Sequence, residues 1–158
     1  MTAPAYSSRV APTGVKIDDG FSTTFSFASD TDVGLWEKTV KPMGFDGGDA
    51  IPTSTMHNTA WRTKAARQLK ELTPMSGTCA YSPDQLTAIL ALINVEQAIT
   101  VHFSDGDAMS AYGFLKSFEP QECAEGAQPE AQYSIEFTNV DPSTGGEEGP
   151  AFHNNPGT

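Results

Sequence analysis

The sequence predicts a mainly β domain with one α-helix, built as a two-sheet β-sandwich or small barrel. Three observations lead there. Short stretches with strand-period alternation recur along the chain, one stretch at about 82–94 has helical spacing, and clusters of Gly, Pro, Asn, Asp and Ser separate them.

Leu86, Ile89, Leu90 and Ile93 recur at i, i+3, i+4 and i+7, which places them on one helical stripe. Ser82 stands where a cap is wanted, Pro83 costs nothing in the first turn, and Gln85 completes a capping box with Ser82. Asp84 suits the positive end of the helix dipole. A helix of about a dozen residues is marginal alone, so the stripe is expected to pack on the strands.

Taken in order, the strands begin at Phe21–Ala28, where Phe21, Thr23, Phe25 and Phe27 alternate with Ser22, Thr24 and Ser26. Ser29-Asp30-Thr31-Asp32 is turn chemistry, and Leu35–Val40 reads as a second strand stopped by Pro42. Gly44–Asp49 is a turn. It lacks the Gly-Lys-Ser/Thr of a phosphate loop, and Asp46 and Asp49 lack the ligand spacing of a calcium loop. Ile51–Met56 is a further strand candidate, and His57–Pro74 is long for a connection in a compact domain.

Gly77–Tyr81 leads into the helix, and the best hairpin follows it. A two-residue Asp105-Gly106 turn pairs Phe103 with Ala108, Val101 with Ser110, Ile99 with Tyr112 and Gln97 with Phe114. Ile99, Val101, Phe103, Tyr112 and Phe114 then face the core together, with Thr100, His102, Met109 and Ala111 on the opposite face. Ala131, Tyr133, Ile135 and Phe137 alternate along a last strand. The expected organisation is one domain over 20–140 with a long loop at about 43–75. Flexible arms at 1–19 and 141–158 are expected from their poverty in large apolar residues.

Composition narrows the function. The formal charge is −11, and no Lys or Arg follows Lys116, which argues against binding a phosphate backbone. Arg62, Lys64, Arg67 and Lys70 nevertheless crowd into one segment beside Trp61. That segment is either a solvated loop or a contact with another copy, and Trp61 either fills its own core or belongs to that contact. Cys79 and Cys123 lack CxxC spacing and the three histidines are scattered, so no metal site is expected. Without an apolar run of membrane length or a signal sequence, the chain is expected to remain in the compartment where it is made. No nucleophile elbow, metal motif or phosphate loop points to an enzyme, and no cofactor or catalytic residue is expected.

The order of motifs from Asn94 onward carries a resemblance. Helix end, Ala98-Ile99-Thr100-Val101-His102-Phe103-Ser104-Asp105-Gly106, Tyr112-Gly113-Phe114, an acidic loop, and a final strand closing on Thr138-Asn139-Val140 follow one another. This order resembles the tail tube (major tail) proteins of long-tailed bacteriophages. The resemblance implies a sandwich flanked by the helix and six copies closing into a ring. Rings would stack into a hollow tube that conducts DNA without binding it specifically. It implies a virion component assembled in the host bacterial cytoplasm, away from membranes, with tail initiator, tape-measure and terminator proteins as partners. Trp61, Arg62, Lys64, Arg67 and Lys70 would contact a neighbouring ring, and Glu37, Asp49 and Glu136 are candidates for an acidic lumen. The competing readings are a carbohydrate- or protein-binding β-sandwich module and another phage structural protein, such as a decoration or tail completion protein.

Overall fold

In a computed structural model, residues 19–29 and 35–154 are described. The expected N-terminal arm lies outside them except for Asp19. The strands are β1 (Thr24–Phe27), β2 (Leu35–Lys41), β3 (Phe45–Asp46), β4 (Ile51–Pro52), β5 (Lys64–Ala65), β6 (Glu71–Leu72) and β7 (Met75–Tyr81). A 3₁₀ turn (Pro83–Gln85) runs into α1 (Leu86–Leu92), followed by β8 (Gln97–His102), β9 (Ala108–Pro120), β10 (Glu130–Phe137) and β11 (Ala151–His153).

Among the described residues the fold is mainly β with one short α-helix, as the sequence predicts. Its strands form one antiparallel sheet of seven, in the order β1-β8-β9-β10-β7-β2 with β11 on β9, and two separate two-stranded ribbons. The large sheet curls over a single core without closing. Phe25 of β1 packs its ring 4.8 Å from that of Tyr133 on β10. Across the seam, the backbone N–H of Phe25 donates to Glu37 Oε1 on β2 at 3.2 Å. The two edge strands thus meet through a carboxylate, which occupies an edge donor that would otherwise seek a partner.

Ile99, Val101, Leu115, Ile135, Met75, Cys79 and Tyr133 are buried at the centre. Two glycines let neighbouring strands of the sheet approach closely there. A Cβ on Gly77 would stand 2.1 Å from Thr39 O, and one on Gly113 would stand 2.3 Å from Glu136 O. The room at Gly77 lets the Tyr133 hydroxyl reach past to donate to Thr39 O at 3.1 Å. Burial pushes the Cys79 thiol up to about 11, with Glu37 adding to the effect.

The expectations for the hairpin and the helix need correction, and each has a local cause. The β8–β9 turn is longer than two residues: Gly106 N–H donates to Phe103 O at 3.1 Å, and Phe103 N–H to Asp107 O at 2.9 Å. Gly106 takes a φ of 94°, the glycine position of a three-residue hairpin loop with a bulge. The register becomes Val101↔Met109, Ile99↔Ala111 and Gln97↔Gly113. Met109, Ala111 and Leu115 therefore face the core, and Tyr112 and Phe114 stand half-buried on the other face.

The helix is shorter than expected and is entered through a 3₁₀ turn, with no side-chain cap bond at Ser82; the Ser82 hydroxyl donates to Asp84 instead. Of the expected stripe only Ile89 is buried, joined by Leu92. Ile93 and Phe103 pack partly against the core, and Leu86 and Leu90 are exposed.

Residues 141–154, expected within a C-terminal arm, run back onto the sheet. Asn139, at a φ of 54°, turns the chain out of β10, and β11 returns to pair Ala151 with Ser110 and His153 with Ala108. β9 outruns β10, whose pairing with it stops at Gly113, and β11 satisfies the backbone groups left over.

Candidate assembly interface

Residues 43–75, expected as a long loop, leave the body as a projecting β-ribbon. It is rooted by Met43, which is buried, and by Leu72, which packs on the core. At the root Thr73 N–H donates to Gly44 O at 3.0 Å, and Gly44 N–H to Thr73 Oγ1 at 2.8 Å. β3 then pairs with β6 (Phe45↔Leu72, Asp46↔Glu71), and β4 with β5 (Ile51↔Ala65, Pro52↔Lys64). The expected strand Ile51–Met56 is reduced to its first two residues. Phe45 stacks 6.1 Å from Phe152 of β11, so the returned C-terminal segment braces the ribbon's base.

Beyond the base every residue from Phe45 to Glu71 is exposed. The tip is ordered by polar bonds in place of a core. Thr53 N–H donates to Thr63 O at 3.0 Å, Thr63 N–H to Ser54 Oγ at 2.8 Å, and Asn58 Nδ2 to Trp61 O at 2.8 Å. Met56 is 100% exposed and Trp61 83%. Trp61 therefore fills no core of its own subunit.

The basic residues follow the same path. Arg62, Lys64, Arg67 and Lys70 are all on the ribbon and exposed, with Lys64 on β5. Arg67 Nε donates to Asp49 O at 2.7 Å, tying the two sides together between the paired segments. Among the described residues none of the four pairs with a carboxylate; the ion pairs there are Lys38–Glu130 and Lys116–Glu136. The five residues that sequence placed at a subunit contact are thus brought together on one projecting element.

The three acidic lumen candidates are not brought together. Glu37 is half-buried at the seam and bound to Phe25, Asp49 sits on the ribbon, and Glu136 on β10 pairs with Lys116 at 3.2 Å. Sequence reasoning saw hydroxyls opposite the aromatic residues of the first strand but missed that they continue across the sheet as a hydroxyl-rich face opposite the core. There Thr100 and Ser110 bond at 2.6 Å, Ser26 and His102 at 3.1 Å, and Thr39 and Thr78 at 2.9 Å. The signal was the run of Ser and Thr between the apolar positions of each strand. No group of three or more His, Cys, Asp or Glu among the described residues could hold a metal ion, and no helix among them is long and apolar enough to cross a membrane.

No protein-family model matches the chain, and no curated protein matches it in sequence. Solved structures match it in shape. A chain of the virion of a native gene transfer agent particle superposes with a TM-score of 0.59 at 10% identity, covering 87% of this chain and 100% of its own. A chain of the anti-feeding prophage baseplate, 6-fold symmetrised, gives 0.53 at 7% identity over 73% and 87%. A chain of the tail of an empty gene transfer agent particle, refined helically with C6 symmetry, gives 0.52 at 10% identity over 79% and 86%. At these identities the likeness is one of fold, to chains of gene transfer agent particles and of the anti-feeding prophage baseplate, and it lies in the direction of the resemblance that the order of motifs carries.

Proposed function

We propose that the protein is a structural subunit of a phage-type tail, specifically of its tube: six copies close a ring, and rings stack into a hollow conduit for DNA. The observation that carries this reading is the ribbon. A two-stranded ribbon with no core of its own is at best marginally stable in water, so one carrying an exposed Trp, Met and four cations is built to be covered. The likeness in fold to chains of gene transfer agent and anti-feeding prophage particles supports a phage-type tail as the assembly that covers it. The sixfold symmetry of two of the structural neighbours supports a ring of six.

The chemistry of the sheet suits a conduit. Its outward face presents hydroxyls and no cluster of cations, and the subunit carries a formal charge of −11. DNA passing such a wall meets neither phosphate clamps nor cationic grooves. The role is structural rather than catalytic, in a virion tail built in the host cytoplasm with initiator, tape-measure and terminator proteins as its partners.

The test is negative-stain electron microscopy of the concentrated protein with light scattering alongside. Hollow tubes or six-membered rings are expected. A protein that stays monomeric at every concentration, and with a tail initiator complex present, would overturn the reading in favour of a binding module.

A further inference from the structure

The body has two chemically distinct ends. Strand registers place the end of β2 beside the start of β7, with Lys41 opposite Ser76, and the ribbon leaves from there. At the other end Leu35 lies opposite Tyr81, next to the helix start and the β9–β10 connection. Tyr81 N–H donates to Pro129 O at 3.4 Å, and Gln121 N–H to Glu130 O at 2.8 Å, which folds that connection over the end of β7.

A hollow of about 440 Å³ opens there between Trp36, Tyr81, Pro83 and Pro129. Trp36 is 57% exposed at its wall. The connection beside it and the strand ends that flank it carry Glu119, Glu122, Glu125 and Glu130, with no cation among residues 119–130. Lys38 holds Glu130, and the other three carboxylates have no ion pair among the described residues. At the opposite end, residues 50–70 carry Arg62, Lys64, Arg67 and Lys70 and no acid.

We propose that this hollow with its acidic rim is the socket for the ribbon of a second copy of the chain. Trp61 seats against Trp36, Pro83 and Pro129, while Arg62 and Arg67 face Glu119, Glu122 and Glu125. The proposal deepens the stacking reading and rests on it, since it names the surface that receives the ribbon. Three arguments carry it. The two patches are complementary in charge, four cations on one and carboxylates without a cation on the other. Each patch offers an exposed indole, the residue type that anchors interfaces, and Trp36 has Pro83 and Pro129 beside it. Finally, ribbon and socket occupy opposite ends, so the contact is head-to-tail and repeats without closing on itself, as a stack requires. The chain from Phe45 to Met56, at about 3.3 Å per residue, gives a reach on the order of 35 Å, enough to pass beyond its own body.

The test uses a cysteine already in place. Cys123 is exposed within the acidic connection, whereas Cys79 is buried and out of reach of a reagent. Ala60→Cys, beside Trp61 and without a side-chain bond to lose, gives each full-length copy a second accessible thiol, which a short bismaleimide then joins to a neighbour. The expected result is a ladder extending beyond dimers, lost with Cys123→Ser. Glu122→Lys with Glu125→Lys should reduce the ladder by more than about tenfold at low salt, and adding Arg62→Glu with Arg67→Glu should restore it to within about threefold. Tubes without linkage through Cys123, or linkage that stops at dimers, would overturn the socket and leave the tube standing. A ladder without tubes would uphold the socket and sink the tube, and the absence of both would sink both.

Discussion

The body and the ribbon of this protein are held together by different physics. In the body Ile99, Val101, Leu115 and Ile135 lose all contact with water, and hydrogen-bonded strands enclose them. In the ribbon no side chain from Phe45 to Glu71 is buried, and order comes from short polar bonds at the tip and one aromatic contact at the base. Burial contributes about 25 cal/mol per Å² of apolar surface, whereas an exposed hydrogen bond merely replaces one to water. The body is therefore stable by itself, and the ribbon is a region whose stability is completed by whatever covers it. That difference predicts opposite responses to substitution.

The largest effect on stability belongs at the centre of the body. Leu115→Ala removes a side chain with no solvent exposure from the strand that pairs with both β8 and β10. A loss of about 2–5 kcal/mol in urea unfolding is expected. A loss below about 1 kcal/mol would mean that the core collapses around the gap and that body and ribbon differ less than argued.

A smaller effect is expected at Gly77→Ala, where the added carbon would meet Thr39 O at 2.1 Å and Tyr133 Oη at 2.6 Å. Either β2 shifts or the Tyr133–Thr39 bond breaks, at about 1–3 kcal/mol, with part of the loss recovered when Tyr133→Phe is combined with it. Additive losses in the double mutant would show that the hydroxyl is not what the glycine accommodates.

How much was legible in the sequence follows the same division. β1 and β10 alternate cleanly, and the inward Phe25, Phe27, Ala131, Tyr133 and Ile135 could be read directly. β9 could not be read this way, because Ala108–Leu115 is apolar on both faces. Periodicity was indifferent there, and one extra turn residue at Gly106 decided which face went in. The helix misled for a related reason: Leu86 and Leu90 complete a stripe in the sequence, but the 3₁₀ entry and short length turn only Ile89 and Leu92 to the core. β3 to β6 and β11 carry no strand period, being two or three residues long and, Leu72 apart, exposed. The basic cluster was visible as composition, while its gathering on one projecting element depends on pairings across more than ten residues that no local pattern encodes.

The smallest stability effect, and the most informative, is expected from Arg62→Glu with Arg67→Glu. Among the described residues Arg62 makes no side-chain bond, and Arg67 makes one, to Asp49 O at the edge of the ribbon. Exposed charges of this kind move stability by no more than about 0.5 kcal/mol, so the melting curve should superpose on that of the parent protein. Tube formation, read by sedimentation and negative-stain microscopy, should nevertheless be lost, because four cations on an acidic protein are reduced to two and two carboxylates take their place. Parent-like stability with tubes of normal length would separate the ribbon's charge from assembly and leave Trp61 and Met56 as its only adhesive. Lost stability would place the arginines in the fold, and the division between a self-sufficient body and a ribbon completed by its neighbour would fail where it is drawn most sharply.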